Sequence, residues 1–236
     1  MNIRHLNFKY ISNLRDIGGY RTKDNRVTKF NRIMRSSLIK NLEEDELSYL
    51  KKNNLCLNID LREEKDIDIK KNYLKDKISF INVPLIDRIP DKEEDIPNGY
   101  LRLLENKNIK IIFDAIKDND GLIIINCSMG KDRTGVIIML ILLLCGVNNK
   151  DIIADYTLSY NYLKDDVNLF HLKHPEYPSW VGASKSWYME ETIKLFFNKY
   201  PSLNNYFIDY LGMNEEDLYK IRESLLDKET LWKRFY

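Results

Sequence analysis

Three cysteines in 236 residues are too few for a disulfide framework, and their odd number suits a reducing compartment. Cys127 is therefore read as a thiol. The opening residues, MNIRHLNFKYISN, lack the apolar stretch of about 7 to 15 residues that marks a secretory signal. This predicts a mature protein starting at or near Met1 and a cytoplasmic location. No run is long enough for a bilayer: the most apolar, Val136 to Cys145, has ten residues against the roughly 20 required, and it reads as a buried helix. Charge of neither sign dominates. With 37 lysines and arginines against 36 aspartates and glutamates, the net charge of +1 gives no broad preference for nucleic acid or anionic lipid. Any anion specificity must be local. Glycine-serine linkers and internal repeats are also missing. A composition 44% hydrophobic and 31% charged excludes disordered and collagen-like classes. The length predicts one unit, with residues 1–150 as an α/β core and 151–236 as a helical extension able to serve as a lid.

What is present is an alternation of strands and helices. Val27 to Ile33, Leu55 to Ile59, Ile78 to Val83 and Leu122 to Asn126 read as strands, most rich in Ile and Val and bounded by polar residues. Asn41 to Lys52, Glu63 to Lys75 and Tyr100 to Lys117 carry apolar residues at helical spacing. Such alternation predicts an α/β fold with a central, mainly parallel sheet of about four strands flanked by helices. Beyond Asp151 the segments Ile152 to Leu163, Ser184 to Tyr200 and Glu215 to Asp227 read as helices. Lys164 to Ala183, holding His171, His174, Pro175, Pro178 and Trp180, reads as an ordered surface excursion. In open sheets of this kind ligands bind beyond the carboxyl ends of strands. The clearest strand, Leu122 to Asn126, runs directly into CSMGKDRTG and then into the apolar helix.

Five residues separate Cys127 from Arg133 on a loop that opens a helix. A loop of that size can curl so that successive N–H groups converge on an anion, and the helix dipole adds positive potential at the same point. Arg133 offers a planar fork able to hold two phosphate oxygens, a geometry lysine lacks. A thiol in such a field is readily ionised. A thiolate facing a phosphate ester can displace the alcohol or phenol and form a phosphocysteine. The leaving oxygen then needs a proton, for which Asp132 is the first candidate and Asp87 the second. Ser128, Met129, Gly130, Lys131, Thr134 and Gly135 complete the expected substrate-binding loop. Thr134 offers a hydroxyl to the departing thiolate, and the glycines permit close backbone approach.

CSMGKDRTG resembles the C-x5-R-[ST] signature loop of cysteine-dependent protein tyrosine phosphatases. Its GKDRTG ending is most similar to the bacterial tyrosine phosphatases of lipid-phosphatase-like type. Five further segments resemble that type: Asn13 to Tyr20 resembles its NxRDxGG block, Arg35-Ser36-Ser37 its RS segment, Asp60-Leu61-Arg62 its DLR block, and Asp155 to Ser159 with Tyr210 to Met213 its helical half. The resemblance implies four parallel strands with helices, no metal and no cofactor, Cys127 as nucleophile, Arg133 as phosphate clamp and Asp132 as acid. It implies a phosphorylated protein as substrate, phosphotyrosine first, with phosphoserine, phosphothreonine or a phosphoinositide as further classes. One position departs: the family's histidine before the cysteine is Asn126, which cannot carry charge. That change motivates a rival reading as a phosphate-binding module with little turnover.

Other readings weigh less. A nucleotide-binding P-loop needs a glycine where Ile125 stands and a hydroxyl where Asp132 stands. Rhodanese-like sulfur-transfer loops are one residue shorter. His171 and His174 lack the partners of a metal site. Cys56 and Cys145 read as core packing. Lys131 is expected to make a second anion contact, favouring substrates with more than one phosphate. Arg15 and Asp16 either buttress the loop or fix a turn. Trp180, Trp187 and Tyr188 read as helix packing, with an aromatic wall over the pocket as the other possibility.

Overall fold

The computed structural model describes residues 4–228. Its sheet has five strands: β1 (Arg15–Asp16), β2 (Ile33–Ser36), β3 (Leu55–Asp60), β4 (Ser79–Asn82) and β5 (Leu122–Asn126), in the order β1-β2-β5-β3-β4. Four run parallel, and the two-residue β1 pairs antiparallel with β2. Alternation along β5 separates two cores. Ile123, Ile125 and Cys127 join one cluster and Leu122 and Ile124 the other, as expected when successive side chains point to opposite faces.

The helices are α1 (Glu44–Lys52), α2 (Glu64–Ile69), α3 (Ile96–Leu104), α4 (Ile109–Asp118), α5 (Asp132–Cys145), α6 (Asn149–Lys173), α7 (Ser186–Lys199) and α8 (Glu215–Leu225). Helix α5 is buried on every side from Thr134 to Cys145, which explains why its sequence shows no polar face. Gly146, in the left-handed conformation at φ 79, ends it.

Several boundaries differ from the sequence reading. The first expected strand, Val27 to Ile33, is displaced to Ile33–Ser36, because Asn25 and Asn31 adopt positive φ and keep residues before Ile33 in turns and isolated bridges. The span Tyr100 to Lys117 is two helices rather than one, and α3 begins earlier, with Pro97 in its first turn. Helix α2 stops at Ile69, short of Lys75. The excursion placed at Lys164 to Ala183 is half helix: α6 continues to Lys173, and the chain leaves helical structure only from His174 to Lys185.

Candidate active site

The segment from Cys127 to Lys131 joins the carboxyl end of β5 to the N-terminus of α5. Its carbonyls are drawn outward one after another. Ser128 O accepts from the Leu38 N–H at 3.1 Å, Met129 O from Asn13 Nδ2 at 3.1 Å, and Gly130 O from Asn13 Nδ2 at 3.0 Å and Arg35 Nη2 at 2.7 Å. In a planar trans peptide the N–H points opposite to the C=O. Pulling these carbonyls to the outside therefore turns the N–H groups of the following residues to the concave side. The Gly130 N–H reaches Cys127 Sγ there at 3.2 Å. The thiol is 2% exposed, at the floor of the loop.

Gly130 has φ 66, and a Cβ at this position would lie 2.2 Å from Ser36 O. No side chain fits. Gly130→Ala is expected to force the loop off β2 and to cost about 1–3 kcal/mol in backbone strain. Urea unfolding would register the stability loss and phosphate-analogue titration the opened loop.

Beneath the loop lies a buried charge cluster. Asp155 on α6 accepts from Arg15 Nε at 3.0 Å and Arg35 Nη1 at 2.5 Å, and also from the Tyr20 hydroxyl at 3.1 Å. Burial pushes the Asp155 carboxyl up, but the two guanidiniums outweigh it and hold Asp155 well below the usual carboxylate range. Burial, then the like charge of Arg15, lowers Arg35 to about 10. Two cations against one anion leave the cluster positive, directly behind the outward carbonyls.

At the mouth, Arg133 Nη2 donates to Ser128 Oγ at 3.0 Å, which aligns the guanidinium with the loop. Burial alone would lower Arg133, but Cys127, then Asp87 and Asp132, raise it and keep it charged. Thr134 is fully buried and its hydroxyl has no partner within the described residues. Gly135 allows Tyr156 to pack closely on α5. Arg133, Asp132, Lys131, Met129 and Asp87 line a cleft of about 270 Å³ whose apolar walls include Ile89, Ile96, Val167, Phe170 and Trp180. A second cleft, lined by Ser128, Lys40 and Lys70 among others, adjoins it at Met129 and Phe170.

The surroundings of the remaining residues weighed from sequence are as follows. Lys131 lines the cleft, but it is only 5% exposed, and its ammonium bonds Ala183 O at 2.8 Å and lies 3.2 Å from Asp132 Oδ1. Its ammonium thus already has two partners within the protein. Asn126 shares a face with Leu122 and Ile124, opposite to Cys127. Its carboxamide oxygen accepts from Asn58 at 2.8 Å and Asn72 at 3.2 Å, so the residue replacing the expected histidine does not bond the sulfur. Arg15 and Asp16 take one role each. Arg15 buttresses the loop through Asp155, while Asp16 fixes a turn by accepting from the N–H groups of Gly18 and Asn31. Trp180 belongs to the cleft wall and Tyr188 to the helical core.

Residues 6–227 match the sequence profile of the tyrosine phosphatase family. The chain belongs to that family. A tyrosine-protein phosphatase of Nostoc commune is 41% identical over 56 residues, which cover 23% of this chain and 19% of that protein. The chain thus matches only about a fifth of that curated relative's length. Among solved structures, P. aeruginosa TpbA in complex with pTyr is 13% identical with a TM-score of 0.37, over 60% of this chain and 77% of that one. A second TpbA structure matches at 13% identity and a TM-score of 0.36, over 60% of this chain and 84% of the other.

Within this family member, the residues that sequence reasoning left without roles are those behind the loop. Asn13, Arg35 and Asp155 set its shape without facing the cleft. Their signal was present in the distant matching blocks, but a block shows that residues belong together and not what they touch.

Proposed function

We propose that the protein is a phosphomonoester hydrolase working through a phosphocysteine, with phosphotyrosine as its leading substrate class and phosphoserine, phosphothreonine or phosphoinositides next. The observation that carries this reading is the placement of Cys127 Sγ under an inward-facing loop amide, with Arg133 held at the mouth by Ser128. Membership of the tyrosine phosphatase family supports it. In this reading the loop amides and the Arg133 fork bind the phosphoryl oxygens, and their fixed positions favour the charge that develops as phosphorus is attacked. Cys127 forms the P–S bond while the ester P–O bond breaks. A cleft carboxyl, Asp132 or Asp87, protonates the leaving oxygen, and water then hydrolyses the phosphocysteine. Thr134, whose hydroxyl has no partner among the described residues, would donate to the thiolate as it leaves. The apolar walls favour a phenyl ring over a short serine side chain.

The place of Asn126 on the face of β5 opposite the sulfur, where its oxygen accepts from Asn58, weighs against the low-turnover reading that its departure from histidine motivates. The reading is tested by phosphate release from p-nitrophenyl phosphate and a phosphotyrosine peptide in excess EDTA, with rapid acid quenching to trap phosphate on Cys127. Turnover in EDTA with a trapped phosphocysteine is the expected result. Peptide binding without a trapped intermediate, or activity that EDTA removes, would overturn it.

A further inference from the structure

The second cleft, about 490 Å³, is larger than the first and meets it along Met129 and Phe170. Arg133 lines the first cleft and Ser128 the second, so the bond between these two side chains spans the junction. A phosphate held by the Arg133 fork would sit close to that junction. A phenyl ring placed against the apolar walls of the first cleft leaves the second to whatever the ring is joined to.

The second cleft has an apolar lining that is fixed in place. One part is the C-terminal end of α2. Its last residue, Ile69, is 77% exposed and lines the cleft, whereas Ile67 of the same helix is buried. This helix end is held from below by Arg62, which pairs with Asp60 Oδ2 at 2.8 Å and donates to Asp66 O at 3.2 Å and Lys70 O at 2.9 Å. The guanidinium thereby ties the last turn of α2 to the end of β3. Leu38 is fixed to the loop through its N–H on Ser128 O at 3.1 Å, and α6, which carries Phe170, is joined to the N-terminal segment by the Ser12 hydroxyl on Asp166 at 2.5 Å. Walls held in this way need little ordering when they receive a side chain. An aliphatic residue kept outward in a groove is the informative kind of exposure.

The charges of the groove balance. Lys40 and Lys70 are matched by Asp66 and Asp166, and Arg62 is engaged by Asp60. The first cleft adds Asp87 and Asp132. An inositol ring would bring its further phosphates among these carboxylates, whereas a peptide would bring an apolar side chain to Ile69 and Phe170. Consecutive Cα atoms lie about 3.8 Å apart, so the adjoining groove is within reach of a residue one or two positions from the phosphorylated one. Resting on the phosphotyrosine reading above, we infer that the second cleft binds an apolar side chain of a protein substrate within two positions of the phosphotyrosine, with Ile69 and Phe170 as the residues that select it. The substrate class is then an extended protein segment.

The test measures kcat/KM for phosphotyrosine peptides with serine at the two positions on either side, and for the same peptides with one leucine, glutamate or lysine at each of those positions. The proteins are the unmodified chain, Ile69→Ser and Ile69→Leu. Leucine at one position should raise kcat/KM about tenfold, through KM, as expected for partial burial of one such side chain. Ile69→Ser should remove most of that preference and Ile69→Leu should keep it. Ile69 is exposed, so neither change threatens the core. Four results would overturn the inference: no preference at any position, a preference that survives Ile69→Ser, glutamate favoured over leucine, or a short-chain phosphatidylinositol bisphosphate turned over more efficiently than the best peptide. In each case p-nitrophenyl phosphate turnover with a trapped phosphocysteine would leave the hydrolase reading standing, whereas its absence would remove both.

Discussion

Cys127→Ser is expected to lose phosphate release by a factor of ~10⁴ or more while still binding a phosphotyrosine peptide or vanadate, since removing a nucleophile that acts with its neighbours costs several orders of magnitude. The reason lies in what surrounds the sulfur. The Gly130 N–H points at it, and Arg133 contributes positive charge at the loop. Both are donors. They stabilise an anion once it exists but cannot take a proton from an alcohol. A thiol gives up its proton far more readily than an alcohol and can use such an environment, whereas a serine hydroxyl would need an adjacent base. Serine is close to cysteine in shape, so the outward carbonyl bonds from Leu38, Asn13 and Arg35 remain and the phosphate cradle survives. Steady-state kinetics with calorimetric titration of the same variant separates the two effects. Retained turnover above a tenth of the original would show that sulfur is not the attacking atom.

The part of this arrangement that was legible in sequence is the part built from neighbours in the chain. The strand Leu122 to Asn126, the loop and the apolar helix are consecutive, so their order alone predicts a thiol and a guanidinium at the carboxyl end of a strand. The alternation of β3, β4 and β5 with helices was readable for the same reason. Elements shaped by distant partners were less so. β1 is two residues long and exists because Arg15 and Asp16 pair with Arg35 and Met34, which no local pattern announces. The extra turns of α6 past Leu163 are stabilised by long-range contacts such as the Ser12 hydroxyl on Asp166 at 2.5 Å. Lys131 illustrates the limit at the site itself. Its place in the loop suggested a second anion contact, and only the fold brings Ala183, 52 residues away in the chain, to bond it.

Asp155→Asn is expected to destabilise the protein by about 3–5 kcal/mol, the cost of removing one partner from a buried ion cluster. Arg15, Arg35 and Asp155 are all buried, so water cannot replace the lost carboxylate. The two guanidiniums would then face each other with only neutral acceptors between them. The effect carries to the loop, because Arg35 Nη1 holds Asp155 while its Nη2 holds Gly130 O. An Arg35 released from Asp155 no longer fixes the Gly130 carbonyl, and the Lys131 N–H on the same peptide loses its inward orientation. Phosphate affinity should therefore fall along with stability, although Asp155 does not face the cleft. The pH dependence distinguishes this from simple loss of packing. A carboxyl held below its unfolded value contributes stability that is fully present above about 3.9 and is lost as pH falls through the depressed folded value. Urea unfolding of both proteins across that acid range should show the gap between them narrowing as Asp155 protonates. A gap that stays constant with pH would mean that the cluster acts through shape rather than charge.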